Sequence, residues 1–210
     1  MRALLELIAP SVCPGCDRPR REAEPLLCPA CAAGLEPGVW RGAQRAALRY
    51  QGSAAELVRR WKFESRRDAL PVLLGPLLAC VADLELDVLV AIPRHRARVR
   101  TEGCDPVHDL AAALARARGV PFAPHLLTRS RAAPPQAELP RRARHANVRQ
   151  SFRAAPGALR GLRALLLDDV TTTGATLQEA ARELARRARP RSLVRVALAA
   201  TPSPSAKAVL

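Results

Sequence analysis

Three leucines run straight into two carboxylates, Leu165-Leu166-Leu167-Asp168-Asp169, and Val170-Thr171-Thr172-Thr173-Gly174-Ala175-Thr176 follows at once. A continuous apolar run suits a strand buried on both faces, as in parallel sheets. The abrupt change to charge marks the strand's end. Behind the hydroxyl-rich turn, residues 175–188 place Leu177, Ala181, Leu184 and Ala188 at the period of an amphipathic helix. Residues 87–92 form a second apolar run closed by Pro93, and residues 193–199 a third strand. Between them a helix is predicted over 107–118, with Val107, Leu110, Ala111 and Leu114 inward. The fold class is therefore α/β, a parallel sheet flanked by helices, with ligands expected at the carboxyl ends of its strands. Further helices are expected over 1–10, 53–63 (Leu57 and Trp61 inward) and 70–84, the last carrying Cys80 as an inert core thiol. Residues 128–160 are Arg- and Pro-rich without periodicity and read as a long loop.

The turn after the acidic strand carries the chemistry. Free amides and the positive end of the helix dipole make an anion site, threonine hydroxyls add donors, and Gly174 lets the backbone close around a phosphate. Two carboxylates beside that cradle would repel a phosphate unless they accept hydrogen bonds from sugar hydroxyls. A ribose 5-phosphate meets both demands. An Asp–Asp pair after an apolar strand also resembles the Mg²⁺-holding strand of a P-loop ATPase. That reading needs a glycine-rich loop ending in Lys, and neither Lys62 nor Lys207 follows one. Helix capping accounts for one threonine, but not for three behind two carboxylates.

Cys13-Pro-Gly-Cys16 and Cys28-Pro-Ala-Cys31 are two CxxC pairs eleven residues apart. Four thiolates so spaced reach one tetrahedral Zn²⁺, and a site closed by four cysteines is structural. Two disulfides are the alternative, disfavoured because CxxC thiols seldom bridge without strain and nothing points to secretion. Residues 1–45 thus read as a helix and a small zinc module, 46–200 as the main domain and 201–210 as a flexible tail.

Hydrophobic residues make up 49% of the 210, enough for a core. No apolar stretch is long enough to span a membrane, and reduced cysteines suit the cytoplasm. The net charge of +15 asks for a polyanion. It is concentrated: residues 94–163 hold fifteen basic and four acidic side chains, a net +11, whereas the cysteine module is nearly neutral. Aromatic residues are only 3%, which counts against recognition by base stacking.

Residues 168–176 resemble the PRPP-binding loop of type I phosphoribosyltransferases, and the rest of the chain resembles the ComF (competence protein F) branch. The paired CxxC, Tyr50-Gln-Gly52 and Trp61-Lys62-Phe63 are similar to that branch's segments. So is the register of Gln136, Leu139, Arg144, Asn147, Val148 and Phe152. By position, the resemblance implies that Asp168 and Asp169 bind the ribose hydroxyls of PRPP. Thr171, Thr172, Thr173, Gly174, Ala175 and Thr176 would hold its 5-phosphate. The turn Ile92-Pro93-Arg94-His95 would take the pyrophosphate with Mg²⁺, and 128–150, with Gln136, Arg144 and Asn147, would be a mobile loop over the site. The branch's R-G-F-N is replaced here by Glu102-Gly103-Cys104-Asp105.

Two functions follow as expectations. One is phosphoribosyl transfer from PRPP to an unidentified acceptor. The other, implied by the ComF resemblance, is a non-catalytic competence factor that handles incoming single-stranded DNA, with the competence helicase and recombination proteins as partners. Arg141, Arg142, Arg144 and Arg149 are its candidate phosphate contacts. The same arginines could equally hold pyrophosphate or solvate a loop.

Overall fold

The computed structural model describes residues 11–20, 24–39, 43–64, 66–94, 103, 105–129 and 151–202. In chain order these form helix α1 (Pro29–Ala33), strand β1 (Gln44–Arg49), helix α2 (Gly52–Phe63), a 3₁₀ turn (Arg67–Ala69) and helix α3 (Leu70–Cys80). Strand β2 (Val88–Ala91) and helix α4 (Pro106–Arg118) follow, then strands β3 (Leu127–Arg129), β4 (Phe152–Ala154) and β5 (Arg163–Thr171). Helix α5 (Ala175–Glu183) runs into a π-helical turn (Leu184–Ala188), and β6 (Ser192–Ala200) closes the described chain.

Strands β1, β6, β5 and β2 lie in that order in one parallel sheet. β5 is central and its side chains alternate between two cores. Leu165 and Leu167 face a layer that holds Leu57, Trp61, Leu73, Leu77 and Leu110 from α2, α3 and α4. Ala164 and Leu166 face a second layer with Leu177, Leu184, Leu127 and Phe152. β2 and β6 feed both cores in the same alternating way, and each fully buried leucine contributes about 1.5–3 kcal/mol.

The predicted parallel sheet flanked by helices is present, and the departures have local causes. α3 stops at Cys80 rather than residue 84, because Arg45 of β1 donates to the Cys80 carbonyl (3.0 Å) and pairs with Asp83 just beyond. α4 begins at Pro106 behind the cap Asp105 and ends on Gly119 at φ +66°, the left-handed conformation that favours glycine. The stretch read as a loop over 128–160 is bounded by structure: β3 and β4 pair antiparallel, Leu127 with Ala154 and Arg129 with Phe152. The helix expected over 1–10 and the tail from residue 203 lie outside the described residues. β1 was not anticipated. Its Ala46-Ala47-Leu48 run is short and alanine-rich, and pairing with β6 makes it a strand. β1 also runs across the division expected between residues 45 and 46, and Cys13, Cys28 and Cys31 share the core of α2 and α3.

Candidate functional site

The chain leaves β2 and β5, adjacent strands, in opposite directions. From β2 it passes through α4 to Phe122, which pairs parallel with Leu89 on the side of β2 away from β5. From β5 it passes through α5 to β6. This is a topological switch point, where open α/β sheets form a crevice outside the carboxyl ends of their strands. Ile92-Pro93-Arg94 leaves β2 there, tied to β5 by the Ile92 amide on the Leu167 carbonyl (2.8 Å). Asp168–Gly174 leaves β5 on the other side.

Asp168 and Asp169 are neighbours with different surroundings, since consecutive strand residues point to opposite faces. Asp168 is buried and accepts from the Asp169 amide at 2.9 Å. Burial, then the Asp169 charge, push its carboxyl up to about 8, against the pull of Lys62 and Arg129. Asp169 turns to the other face. One of its oxygens accepts from the Val170 amide and the other meets Lys62 Nζ at 2.6 Å, with both side chains mostly buried. Lys62 is the penultimate residue of α2, directly after buried Trp61, so helix packing sets where its ammonium lies. These two carboxylates, one protonation-prone and one already ion-paired, do not fit a resident divalent cation. Among the described residues, the four cysteines alone bring three or more metal-ligating side chains together.

Thr171 is buried at the strand end, whereas Thr172 and Thr173 are exposed. Thr173 Oγ1 accepts from the Ala175 amide (3.4 Å), a bond local to the turn, and the N-cap position itself is Gly174. Gly174 holds φ +77°, and a Cβ there would lie 2.6 Å from Gln44 Oε1. The backbone conformation is what requires glycine here, and any side chain would also push the Gln44 amide aside. A cavity of about 110 Å³ opens on the β6–β1 side of this loop, lined by Thr171, Thr172, Thr173, Gln44, Arg45 and Thr201 among others. It is a small recess of mixed polar and apolar lining beside the loop, and neither carboxylate lines it.

Across the crevice, the Arg94 amide donates to Asp105 Oδ2 at 3.1 Å, while Asp105 Oδ1 accepts from the amides of Val107 (3.2 Å) and His108 (3.4 Å). Asp105 thereby fastens the turn after β2 to the start of α4. In these contacts it acts purely as an acceptor. Predicted site residues His95, Gln136, Arg141, Arg142, Arg144, Asn147 and Arg149 lie outside the described residues, as do Glu102 and Cys104. Sequence reasoning missed Lys62, Gln44 and Arg129 as neighbours of the site. Lys62 alone carried a signal, being one of two lysines among 34 basic side chains.

The four cysteine sulfurs lie within 4.8 Å of one another. Cys16 and Cys28 Sγ are 3.7 Å apart, against about 3.8 Å expected for two sulfurs on one tetrahedral zinc with 2.3 Å bonds. All four are free thiols, so the disulfide alternative falls. The Cys16 (3.3 Å) and Asp17 (2.9 Å) amides close the Cys13–Asp17 turn on the Cys13 carbonyl, and the Cys28 amide reaches Cys13 Sγ at 3.4 Å. Burial raises the Cys13 thiol, but amides of Cys28, Gly15 and Cys16 outweigh it and hold it at about 7. Burial, then hydrogen bonds with the other three sulfurs, push Cys31 well above the usual thiol range. Four such groups cannot ionise together without a cation, so the donor set fits a metal such as zinc.

No protein-family model and no curated protein matches the sequence. Solved structures do. A glutamine phosphoribosylpyrophosphate amidotransferase from B. subtilis, complexed with ADP and GMP, is 23% identical over 61% of this chain and 26% of its own, with a TM-score of 0.42. Adenine phosphoribosyltransferase from Leishmania tarentolae is 13% identical over 77% of this chain and 93% of its own, TM-score 0.39. Phosphoribosylpyrophosphate synthetase from Mycobacterium smegmatis is 22% identical over 62% of this chain and 33% of its own, TM-score 0.35. The chain spans about a quarter of the length of the B. subtilis amidotransferase and of a structure described as the allosteric regulatory enzyme of purine biosynthesis. These are likenesses of fold; the residues at the switch point carry the functional reading. No helix among the described residues is long and apolar enough to cross a membrane.

Proposed function

We propose that the chain is a phosphoribosyltransferase-type protein of the ComF branch that binds PRPP at the carboxyl ends of β2 and β5. One observation carries the reading: acidic strand end, threonine turn, left-handed Gly174 and the N-terminus of α5 succeed one another at the switch point of the sheet. Asp168 and Asp169 receive the ribose hydroxyls, and the turn 171–176 takes the 5-phosphate on hydroxyls and free amides. Arg94 and His95 face the pyrophosphate, whose Mg²⁺ enters with it rather than residing on the acidic pair. Gln136, Arg144 and Asn147 belong to a segment that closes over the ligand. Zinc in the four-cysteine site supports α2, which presents Lys62. The division into residues 1–45, 46–200 and a tail belongs to the same reading as a division by role, since β1 crosses its first boundary.

Calorimetry tests it. Mg-PRPP is expected to bind the wild-type protein, and Asp168→Asn with Asp169→Asn to abolish binding while the melting transition persists. Unchanged affinity in the double variant refutes the assignment. A screen for pyrophosphate release across bases and amines then separates transferase from binding protein. The second reading, a cytoplasmic competence factor on single-stranded DNA that works with a helicase and recombination proteins, is favoured by the net +11 of residues 94–163. It expects single-strand affinity to fall steeply with salt, losing about one slope unit for each of Arg141, Arg142, Arg144 and Arg149 removed.

A further inference from the structure

The acidic strand end already contains a cation. Lys62 Nζ lies 2.6 Å from Asp169 Oδ2, and the two side chains keep only 17% and 13% of their exposure. An ammonium engages one carboxylate oxygen as a point charge, whereas arginine's planar fork takes both. In a chain whose basic residues are arginine at all but two positions, the lysine at this contact leaves Asp169 Oδ1 to the Val170 amide and to whatever approaches from the crevice. Lys62 acts on Asp168 as well, and among the described residues Arg129 of β3 adds a second pull on that carboxyl.

We propose that Lys62 is the built-in counter-cation of the acidic pair, a positioning residue that lets Asp168 and Asp169 take a ligand's vicinal hydroxyls directly, without a bridging divalent metal. The ammonium occupies the place beside Asp169 where a metal ion would otherwise offset two adjacent carboxylates. Its tether to α2 fixes that charge at no cost in ion binding. A lysine serving only to stabilise the fold would leave the metal requirement of the site unmoved. The proposal deepens the ribose-phosphate reading and rests on it for the identity of the diol, but its decisive measurement uses no sugar.

The experiment is a Mn²⁺ titration of zinc-loaded protein followed by electron paramagnetic resonance, with melting curves to establish folding. Wild type and Lys62→Arg are expected to show no Mn²⁺ site that depends on Asp169. Lys62→Met is expected to gain one, with affinity at least tenfold above the wild type, and Lys62→Met with Asp169→Asn to lose it again. A wild-type Mn²⁺ site abolished by Asp169→Asn overturns the proposal, as does a folded Lys62→Met protein that gains none. Ribose 5-phosphate supplies the second readout: binding to the wild type should be indifferent to Mg²⁺, and in Lys62→Met should need it. If the manganese results hold while ribose 5-phosphate fails to bind the wild type, Lys62 stands and the ribose reading falls.

Discussion

The cysteine module and the acidic strand end both crowd groups of one charge sign, and they resolve the crowding differently. At the module, four sulfurs lie within 4.8 Å of one another, and the influences on Cys13 and Cys31 are burial, backbone amides and the other thiols. At the strand end, two carboxylates share their place with an ammonium 2.6 Å from one of them. The first cluster asks for a cation from outside; the second carries its own. A like-charged cluster therefore indicates a metal only when no side chain of opposite sign has been folded against it.

Removing the metal should give the largest effect. Cys13, Cys28 and Cys31 share a core with Leu57 and Trp61, so loss of the ion propagates into α2. Structural zinc supplies about 10 kcal/mol or more in small modules, and several kcal/mol are expected here. Elemental analysis should find one zinc per chain, and chelation or Cys28→Ser should lower the melting temperature by tens of degrees. A chelated protein that melts like the untreated one would reduce the module to a packed thiol cluster.

The next effect belongs to the strand end and has a definite sign. Burial, then the Asp169 charge, hold the Asp168 carboxyl up at about 8 in the folded chain, against about 3.9 for an unfolded aspartate. Between those values the folded state binds the extra proton, so stability falls as pH rises, by at most about 1.4 kcal/mol per unit. Melting temperature should decline from pH 5.5 to 8 in zinc-loaded protein. Asp168→Asn, neutral throughout, should flatten that decline and be the more stable form at pH 8. An identical slope in both proteins would show that the buried carboxyl ionises as readily as a free one.

Much of this comparison was legible in the sequence because its signals are local. Leu165–Leu167, the amphipathic spacing from Leu177 to Ala188 and the two CxxC pairs each specify structure within a few residues. What escaped is what only tertiary pairing decides. Ala46-Ala47-Leu48 becomes a strand because β6 lies beside it, and the β3–β4 ribbon forms across a segment of more than twenty residues. Lys62 reaches Asp169 over 107 positions of sequence, set by the packing of Trp61, and no spacing rule connects the two. The charge concentrated in residues 94–163 is a signal of a different kind, since Arg94 is the one member of the 94–100 arginine run among the described residues.

Gly174→Ala sharpens the strand end at a smaller scale. The left-handed backbone costs an L-residue about 1–2 kcal/mol, and the new methyl displaces the Gln44 amide. Melting should fall by a few degrees, while affinity for inorganic phosphate or PRPP falls more, because the amides of the turn are re-aimed. Adding Gln44→Ala removes the clash and leaves the backbone penalty, so the double variant should recover part of the loss. No recovery would mean that Gln44 does not press on the loop.

The smallest effect lies where the two regions touch. Asp17, just after Cys16, pairs with Arg60 and Arg66, so its carboxylate connects the cysteine turn to the helix that carries Lys62. The Arg66 and then the Arg60 guanidinium hold that carboxyl below its usual range. The contact is solvent-exposed, and exposed pairs are screened by salt and contribute little. Asp17→Asn should therefore leave zinc content unchanged and shift melting only marginally, less at high salt than at low. Ribose 5-phosphate affinity is the sensitive gauge. If the module positions α2 through its shared core, as Cys13 and Trp61 indicate, affinity survives the substitution. If it collapses while zinc and stability are retained, the ion pair itself transmits the module's hold on Lys62, and the two regions form one site.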